Sequence, residues 1–347
     1  MELAATISRL PKAELHLHLD GALRPETAVE LAEAEGIALE IDDARRRMIA
    51  PAHGVDQAAL LTYFDLPIAL LQTAGALERV TSELITDLAE EGVRYAEIRW
   101  APRLHLQGGL SVVDVIEAVA RGIGRAAAER GPAIPLVGLI VVAMRSHPPA
   151  ANVEMARTAA SFGAPVVGFD LAGLEAQFPA PPHAAAFRAA EEGGLRLTAH
   201  AGEVPGAARV REAVDLGAER VAHGATAIED AEVIALLRER DVTLDLCPTS
   251  NVQTGVVASL AEHPLAALHR AGVSVTISTD DPTISATGLS QELAKTAAAL
   301  ALSRTELAAI ALNAFDRAFA PRQLIAPQRA AAASAWNSWV AGGSAVS

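Results

Sequence analysis

Apolar and polar residues alternate through Leu15-His16-Leu17-His18-Leu19-Asp20-Gly21. A period of two predicts a β-strand, with Leu15, Leu17 and Leu19 on one face and His16, His18 and Asp20 on the other. After Gly92, strand-like and helix-like stretches take turns. Strand candidates lie at 13–21, 94–102, 136–144, 166–173, 196–203, 220–224, 243–251 and 274–282. The stretch Leu136–Met144 (LVGLIVVAM) is almost wholly apolar, as a parallel strand covered on both faces should be. Helical patterns occupy 112–130, 153–162, 183–193, 208–216, 229–240 and 260–271, and a helical tail covers 291–319. Between the first two strands, 26–35, 42–48, 57–61 and 76–91 read as helices.

Eight strands alternating with helices predict an α/β fold, the TIM or (β/α)8 barrel, with a helical insertion at about 40–90 after the first strand. Residues 1–347 read as one domain. A doubly wound open sheet is disfavoured, because it should carry a glycine-rich dinucleotide turn after its first strand, and Gly21 alone is no phosphate loop. Phe64, Leu66, Pro67, Leu70 and Leu71 form either an apolar lid or ordinary helix packing, with packing preferred. The end of the chain, 330–347, is small and polar enough to fray, with Trp336 and Trp339 available as anchors.

Hydrophobic residues make up 51% of the chain, enough for a large core, and the net charge of −14 argues against nucleic-acid and anionic-membrane surfaces. A small molecule is the expected partner. Cys247 is the single cysteine, which excludes an intrachain disulfide and cysteine-based zinc sites and suits a reducing, cytoplasmic setting. The first ten residues lack the pattern of a signal peptide, and the longest apolar run, near 135–144, is too short to span a bilayer. The sequence leaves the oligomeric state open.

Catalytic groups of a barrel sit at the C-terminal ends of its strands. His16 and His18 end the first strand, His200 the fifth and His223 the sixth, while Asp280 and Asp281 end the eighth. One such histidine is commonly a hydrogen-bonded core residue; a set at four matching strand ends is not. His16, His18, His200 and Asp280 offer three nitrogens and an oxygen, with a position left for water, which suits catalytic zinc; iron, cobalt or manganese would accept the same donors. Thr276, Ser278 and Asp280 share a strand face, which aims Asp280 into the lumen. Glu203 has the wrong parity for the His200 face and belongs to the loop above the metal, where a carboxyl serves as proton donor and acceptor. His223 and Asp281 stand beside the site to orient the hydroxide and polarise what it attacks, and Gly173 lets a flat ligand approach the backbone. His53, His105, His147, His183, His263 and His269 fall outside this pattern and read as structural or solvent-facing.

The motifs His16-Leu17-His18-Leu19-Asp20-Gly21, Met144-Arg145, Asp170-Leu171-Ala172-Gly173, His200-Ala201-Gly202-Glu203, His223-Gly224, Thr249-Ser250-Asn251 and Ser278-Thr279-Asp280-Asp281-Pro282 resemble the adenosine deaminase family, in the family's order, over about 10–320. The resemblance implies hydrolytic deamination of a purine at C6 by a zinc-activated hydroxide, one zinc per chain, held by His16, His18, His200 and Asp280. It implies that Glu203 protonates ring N1 and that His223 and Asp281 steer the hydroxide and stabilise the tetrahedral intermediate. His18 and Asp20 would contact the ribose, Gly173 ring N3 and Asp281 ring N7. Related adenine deaminases carry Glu at the Asp20 position, so Asp20 favours a nucleoside such as adenosine or deoxyadenosine. Leu174-Glu175 stands where many members have Asp-Glu, which keeps 6-aminodeoxyfutalosine or another modified adenine nucleoside open; adenine itself stands as a separate alternative. Two competing readings remain. One is a metal-dependent amidohydrolase acting on esters or lactams, and because the fourth strand has no lysine to bridge two metals, it would be a mononuclear one; the other is an inactive signalling or binding scaffold, which would have lost Glu203 or a ligand, and none is lost.

Overall fold

Eight short stretches rich in Val, Ile and Leu form the parallel strands Lys12–His18 (β1), Val93–Trp100 (β2), Leu136–Met144 (β3), Val166–Ala172 (β4), Arg196–Ala201 (β5), Arg220–His223 (β6), Thr243–Leu246 (β7) and Ser274–Ile277 (β8). The structure is a computed structural model and describes residues 2–342. The strands pair in chain order from β1 to β8. β8 returns to β1 through residues beyond its own end: the His18 N–H donates to the Asp280 carbonyl at 2.8 Å, and the Asp280 N–H to the His16 carbonyl at 3.0 Å. The barrel is thus closed at its C-terminal mouth by the predicted site residues themselves.

Helices ring the barrel, and several start where the sequence supplies a cap. Ser111 and Asp114 form a capping box on Val112–Arg130, and Ser303 and Glu306 form another on Arg304–Asp316. Between β1 and β2 lie Pro25–Ala34, Ile41–Met48, Gln57–Leu61, Asp65–Leu70 and Ala74–Glu90, the last packed against β2 and Val112–Arg130. Leu66, Leu70 and Leu71 are buried in the main core, while half-buried Phe64 stands with its ring 6.3 Å from that of His18.

Several expectations change. The strand read over 13–21 ends at His18, and Asp20 opens the short helix Asp20–Ala22; the strand read over 274–282 ends at Ile277. The stretch 243–251 is a strand only to Leu246; Pro248, which suits the first helical turn, starts the helix Pro248–Gln253 that carries Thr249, Ser250 and Asn251. The tail 291–319 is two helices, Leu289–Ala299 and Arg304–Asp316, because Ala301 turns left-handed (φ 48°) between them. The chain does not fray at 330: Arg322–Ala341 is helical, and fully buried Trp336 donates its indole N–H to the Pro11 carbonyl at 2.9 Å. The remainder of that expectation, 343–347, lies outside the described residues.

The lumen is partly charged. Glu97, Arg99, Asp170, Arg220 and Asp245 are all fully buried. Arg99 donates to Asp170 at 2.9 Å and to the Leu15 carbonyl at 2.8 Å. Arg220 pairs with Glu97 and, at 2.8 Å, with Asp245, and its guanidinium lies 3.8 Å over the Phe319 ring. Buried charges persist only when paired and hydrogen-bonded.

Candidate metal centre and active site

His16 and His18 come from β1, His200 from β5, and Asp280 from the turn after β8. Simple strand alternation does not place Asp280, because β8 ends at Ile277. Asp280 adopts a left-handed backbone (φ 65°), and so does His223 (φ 70°) at the end of β6. Such conformations cost roughly 1–3 kcal/mol each in a non-glycine residue and gather at functional sites. Here the turn is held by the two backbone hydrogen bonds to β1, which aim the carboxylate at the histidines.

The Asp280 Oδ1 atom lies 3.0 Å from His16 Nε2 and 3.5 Å from His18 Nε2, and His18 Nε2 lies 3.1 Å from His200 Nε2. Ligand atoms of all four residues stand within 4.8 Å of one another. The far sides of two rings show which nitrogens face inward. His200 Nδ1 is 3.0 Å from Asp170, whose acidity is raised because His200 and Arg99 outweigh its burial. Cys247, kept a neutral thiol by burial, donates its S–H to the Asp245 carbonyl at 3.6 Å, which leaves its sulfur to accept from His16 Nδ1 at 3.5 Å. With both Nδ1 atoms protonated toward those partners, both Nε2 lone pairs point to the common centre. His16 Nε2 is then close to a carboxylate oxygen yet has no hydrogen-bond partner. Such an arrangement of facing acceptors is repulsive unless a cation sits among them. Ligands about 2.0–2.2 Å from a tetrahedral ion stand roughly 3.3 Å apart, and the observed separations bracket that figure. The residues fit a divalent transition metal.

Glu203, His223 and Asp281 adjoin this centre. His223 Nε2 is 3.4 Å from Glu203 Oε1 and 3.7 Å from Asp280 Oδ2. Burial and the charges of Asp280, Asp20 and Glu203 push the Asp281 carboxyl well up. Asp20 is raised too, by burial that the nearby His105 only partly offsets. One oxygen of each, Oδ1, is buried without a hydrogen-bond partner. Gly21 leaves space for Asp281: a Cβ built there would stand 2.0 Å from Asp281 Oδ1 and 2.8 Å from its Cβ. Gly21→Ala must therefore displace Asp281. The expected result is a stability loss of about 1–3 kcal/mol together with weakened activity, checked by thermal unfolding and steady-state kinetics; an unaltered enzyme would show that Asp281 moves without consequence. Gly173 follows β4 with φ 109°, open to glycine alone at little cost, and accepts a 3.5 Å hydrogen bond from Gln57.

Several neighbours escaped the sequence reading. Asp170, on β4, orients His200 and was legible only as part of a motif. Glu175 is fully buried and accepts the Gly202 N–H at 2.9 Å and the Glu203 N–H at 2.8 Å; burial and the Glu203 charge push its pKa up to about 7. It fixes the backbone that carries Glu203. His105 and His263 are not bystanders. His105 Nε2 is 3.7 Å from Asp20, and His263 meets Asn251, which meets His223. Nothing in the spacing of these residues signals it, since they come from separate segments of the chain.

A closed parallel barrel with imidazoles and a carboxylate gathered at the C-terminal strand ends belongs to the metal-dependent hydrolase class of (β/α)8 proteins. The family model for adenosine deaminase matches residues 11–328. The chain belongs to the adenosine deaminase family. It is 40% identical over 335 residues to an adenosine deaminase of Mycobacterium sp. (strain KMS), covering 91% of this chain and 92% of that protein. Among solved structures, it resembles an adenine deaminase from Arthrobacter aurescens (TM-score 0.86, 30% identity, covering 96% of this chain and 99% of that one). It also resembles a zinc-bound amidohydrolase from Burkhoderia ambifaria (TM-score 0.87, 26% identity, 98% and 95% covered). Among the described residues no helix is long and apolar enough to cross a membrane.

Proposed function

We propose that this chain hydrolyses adenosine or deoxyadenosine to inosine or deoxyinosine and ammonia, as a hydrolase of C–N bonds in cyclic amidines. The observation that carries this reading is the convergence of His16, His18, His200 and Asp280 ligand atoms within 4.8 Å, beside Glu203 and His223. The match over most of the chain to the Mycobacterium adenosine deaminase supports the substrate.

Zinc is the ion proposed for the four ligands, in keeping with their nitrogen-rich donor set and with the zinc-bound Burkhoderia ambifaria neighbour. When bound, such an ion supplies the Lewis acidity that makes water nucleophilic near neutral pH. The chain's own groups do the rest. Glu203 gives a proton to ring N1, which leaves C6 electron-poor. His223 and Asp281 direct the nucleophile to C6 and stabilise charge as the tetrahedral carbon forms. Glu203, left as a carboxylate, takes up the proton that the attacking water gives up and passes it to the amino nitrogen, which leaves as ammonia while N1 keeps its proton. Asp20 and His18 contact the ribose, Gly173 ring N3 and Asp281 ring N7. The partnerless buried Oδ1 atoms of Asp20 and Asp281 support these contacts, since each lacks a protein group to satisfy it. The expected partner is a small purine nucleoside, and a cytoplasmic location agrees with the solitary buried Cys247.

A second reading is favoured by two observations: the likeness to an adenine deaminase and Leu174 beside the purine-binding Gly173. Adenine, or a modified adenine nucleoside such as 6-aminodeoxyfutalosine, is then the substrate. Ammonia release from adenosine, deoxyadenosine, adenine and aminodeoxyfutalosine, measured in parallel, decides between them. Adenosine and deoxyadenosine are expected to give the highest kcat/KM; a clear preference for either other compound would overturn the substrate assignment.

A further inference from the structure

The chemistry of His223 is set from outside the site, beginning at the backbone amide of Leu265. The Leu265 N–H can only donate, and it donates to His263 Nδ1 at 3.2 Å. His263 Nδ1 is therefore bare. The ring is buried, and burial together with the His223 ring pushes its pKa down to about 3, so it is neutral and its proton sits on Nε2. That Nε2–H faces Asn251 at 3.1 Å, which requires Asn251 to present its carbonyl oxygen there. The Asn251 amide nitrogen is then left to donate to His223 Nδ1, 3.2 Å away. With Nδ1 accepting from that amide, the proton of a neutral His223 sits on Nε2, the nitrogen that faces Glu203 at 3.4 Å and Asp280 at 3.7 Å. The orientation of the Asn251 amide is thus fixed by chemistry rather than by the similar shapes of its oxygen and nitrogen.

We propose that Asn251 and His263 are positioning residues that lock His223 in its Nε2–H tautomer, through the relay Leu265 N–H to His263 to Asn251 to His223. Neither touches substrate. Both are buried, on the helix Pro248–Gln253 that follows β7 and in the loop before the helix Leu265–Arg270. A locked Nε2–H gives His223 a hydrogen-bond donor aimed at the incoming oxygen and at the carboxylates around it. The opposite tautomer would aim a lone pair at those same oxygens and repel them. The kinetic part of this inference rests on the deaminase reading; the tautomer itself does not.

The test is side-chain 15N NMR of the metal-loaded protein labelled at histidine, with the His223 signals identified by their loss in His223→Gln. The expected spectrum shows His223 protonated at Nε2 and bare at Nδ1; a proton on Nδ1 overturns the proposal without any variant. Asn251→Asp replaces the amide donor with an acceptor and is expected to move the His223 proton to Nδ1. It should also lower kcat by on the order of 10²-fold, with KM little changed. His263→Leu frees the Asn251 amide to rotate and is expected to lower kcat too, while His263→Gln, which keeps a donor, restores part of it. An Asn251→Asp protein with the wild-type His223 spectrum, or with the tautomer switched and kcat unaltered, overturns the relay or its catalytic importance respectively. A wild-type spectrum as expected alongside inactivity on every purine would instead sink the deaminase reading and leave the relay standing.

Discussion

Glu203→Gln is expected to lower kcat for adenosine by on the order of 10³-fold, the range for removing a positioned general acid–base, while the protein still binds its metal. Glutamine keeps the shape of the side chain and the 2.8 Å hydrogen bond from the Glu203 N–H to Glu175, since that bond is made by the backbone. The four candidate ligands are untouched. What disappears is a carboxyl that carries a proton to N1 and takes one back. Loss of adenine absorbance and release of ammonia report the first half of the expectation, and metal content of the purified variant reports the second. A variant that turns over within about tenfold of wild type would remove Glu203 from the proton transfer; one that loses its metal would give it a structural role instead.

Arg220→Leu is expected to cost about 3–5 kcal/mol of stability, the usual penalty for breaking a buried ion pair from one side. Arg220 is fully buried and is the cationic partner of Glu97 and Asp245. The remaining contacts to those acids are neutral donors: the Phe319 N–H and Tyr95 hydroxyl, both at 2.6 Å from Glu97, and the Thr276 hydroxyl at 2.8 Å from Asp245. Without the guanidinium, two carboxylates stay buried with only the more distant charge of Arg99 acting on Asp245. The Asp245 carboxyl is already raised by burial despite Arg220, so the variant should also become relatively less unstable in mild acid, where Asp245 protonates. Urea unfolding of both proteins at equal metal loading checks this. Adding Glu97→Gln and Asp245→Asn should recover much of the loss; a cost below about 1 kcal/mol would mean that water compensates the acids.

The eight strands were legible because their side chains obey local rules: period two in β1, an unbroken apolar run in β3, and polar residues at matching ends. The errors at the strand ends share a cause. Alternation was carried past Leu246 and Ile277, where Pro248 starts a helix and Asp280 turns left-handed. The charged residues inside strands, Glu97, Arg99, Asp170, Arg220 and Asp245, were a signal left unused. A charge in a strand covered on both faces must meet its opposite nearby, so five of them imply a network even before its members are matched.

The sequence by itself determined the alternation of strand and helix, hence the barrel, and which histidines and carboxylates gather at its mouth, because periodicity and strand-end position are written along one segment at a time. Tertiary structure alone decided who stands behind them. Arg99 reaching Asp170, Glu175 gripping the Glu203 backbone, and His263 reaching His223 through Asn251 each join segments whose separation along the chain carries no pattern. Their partners are chosen by barrel closure and by the requirement that every buried polar group find one, which is a property of the whole packed interior and of no single stretch.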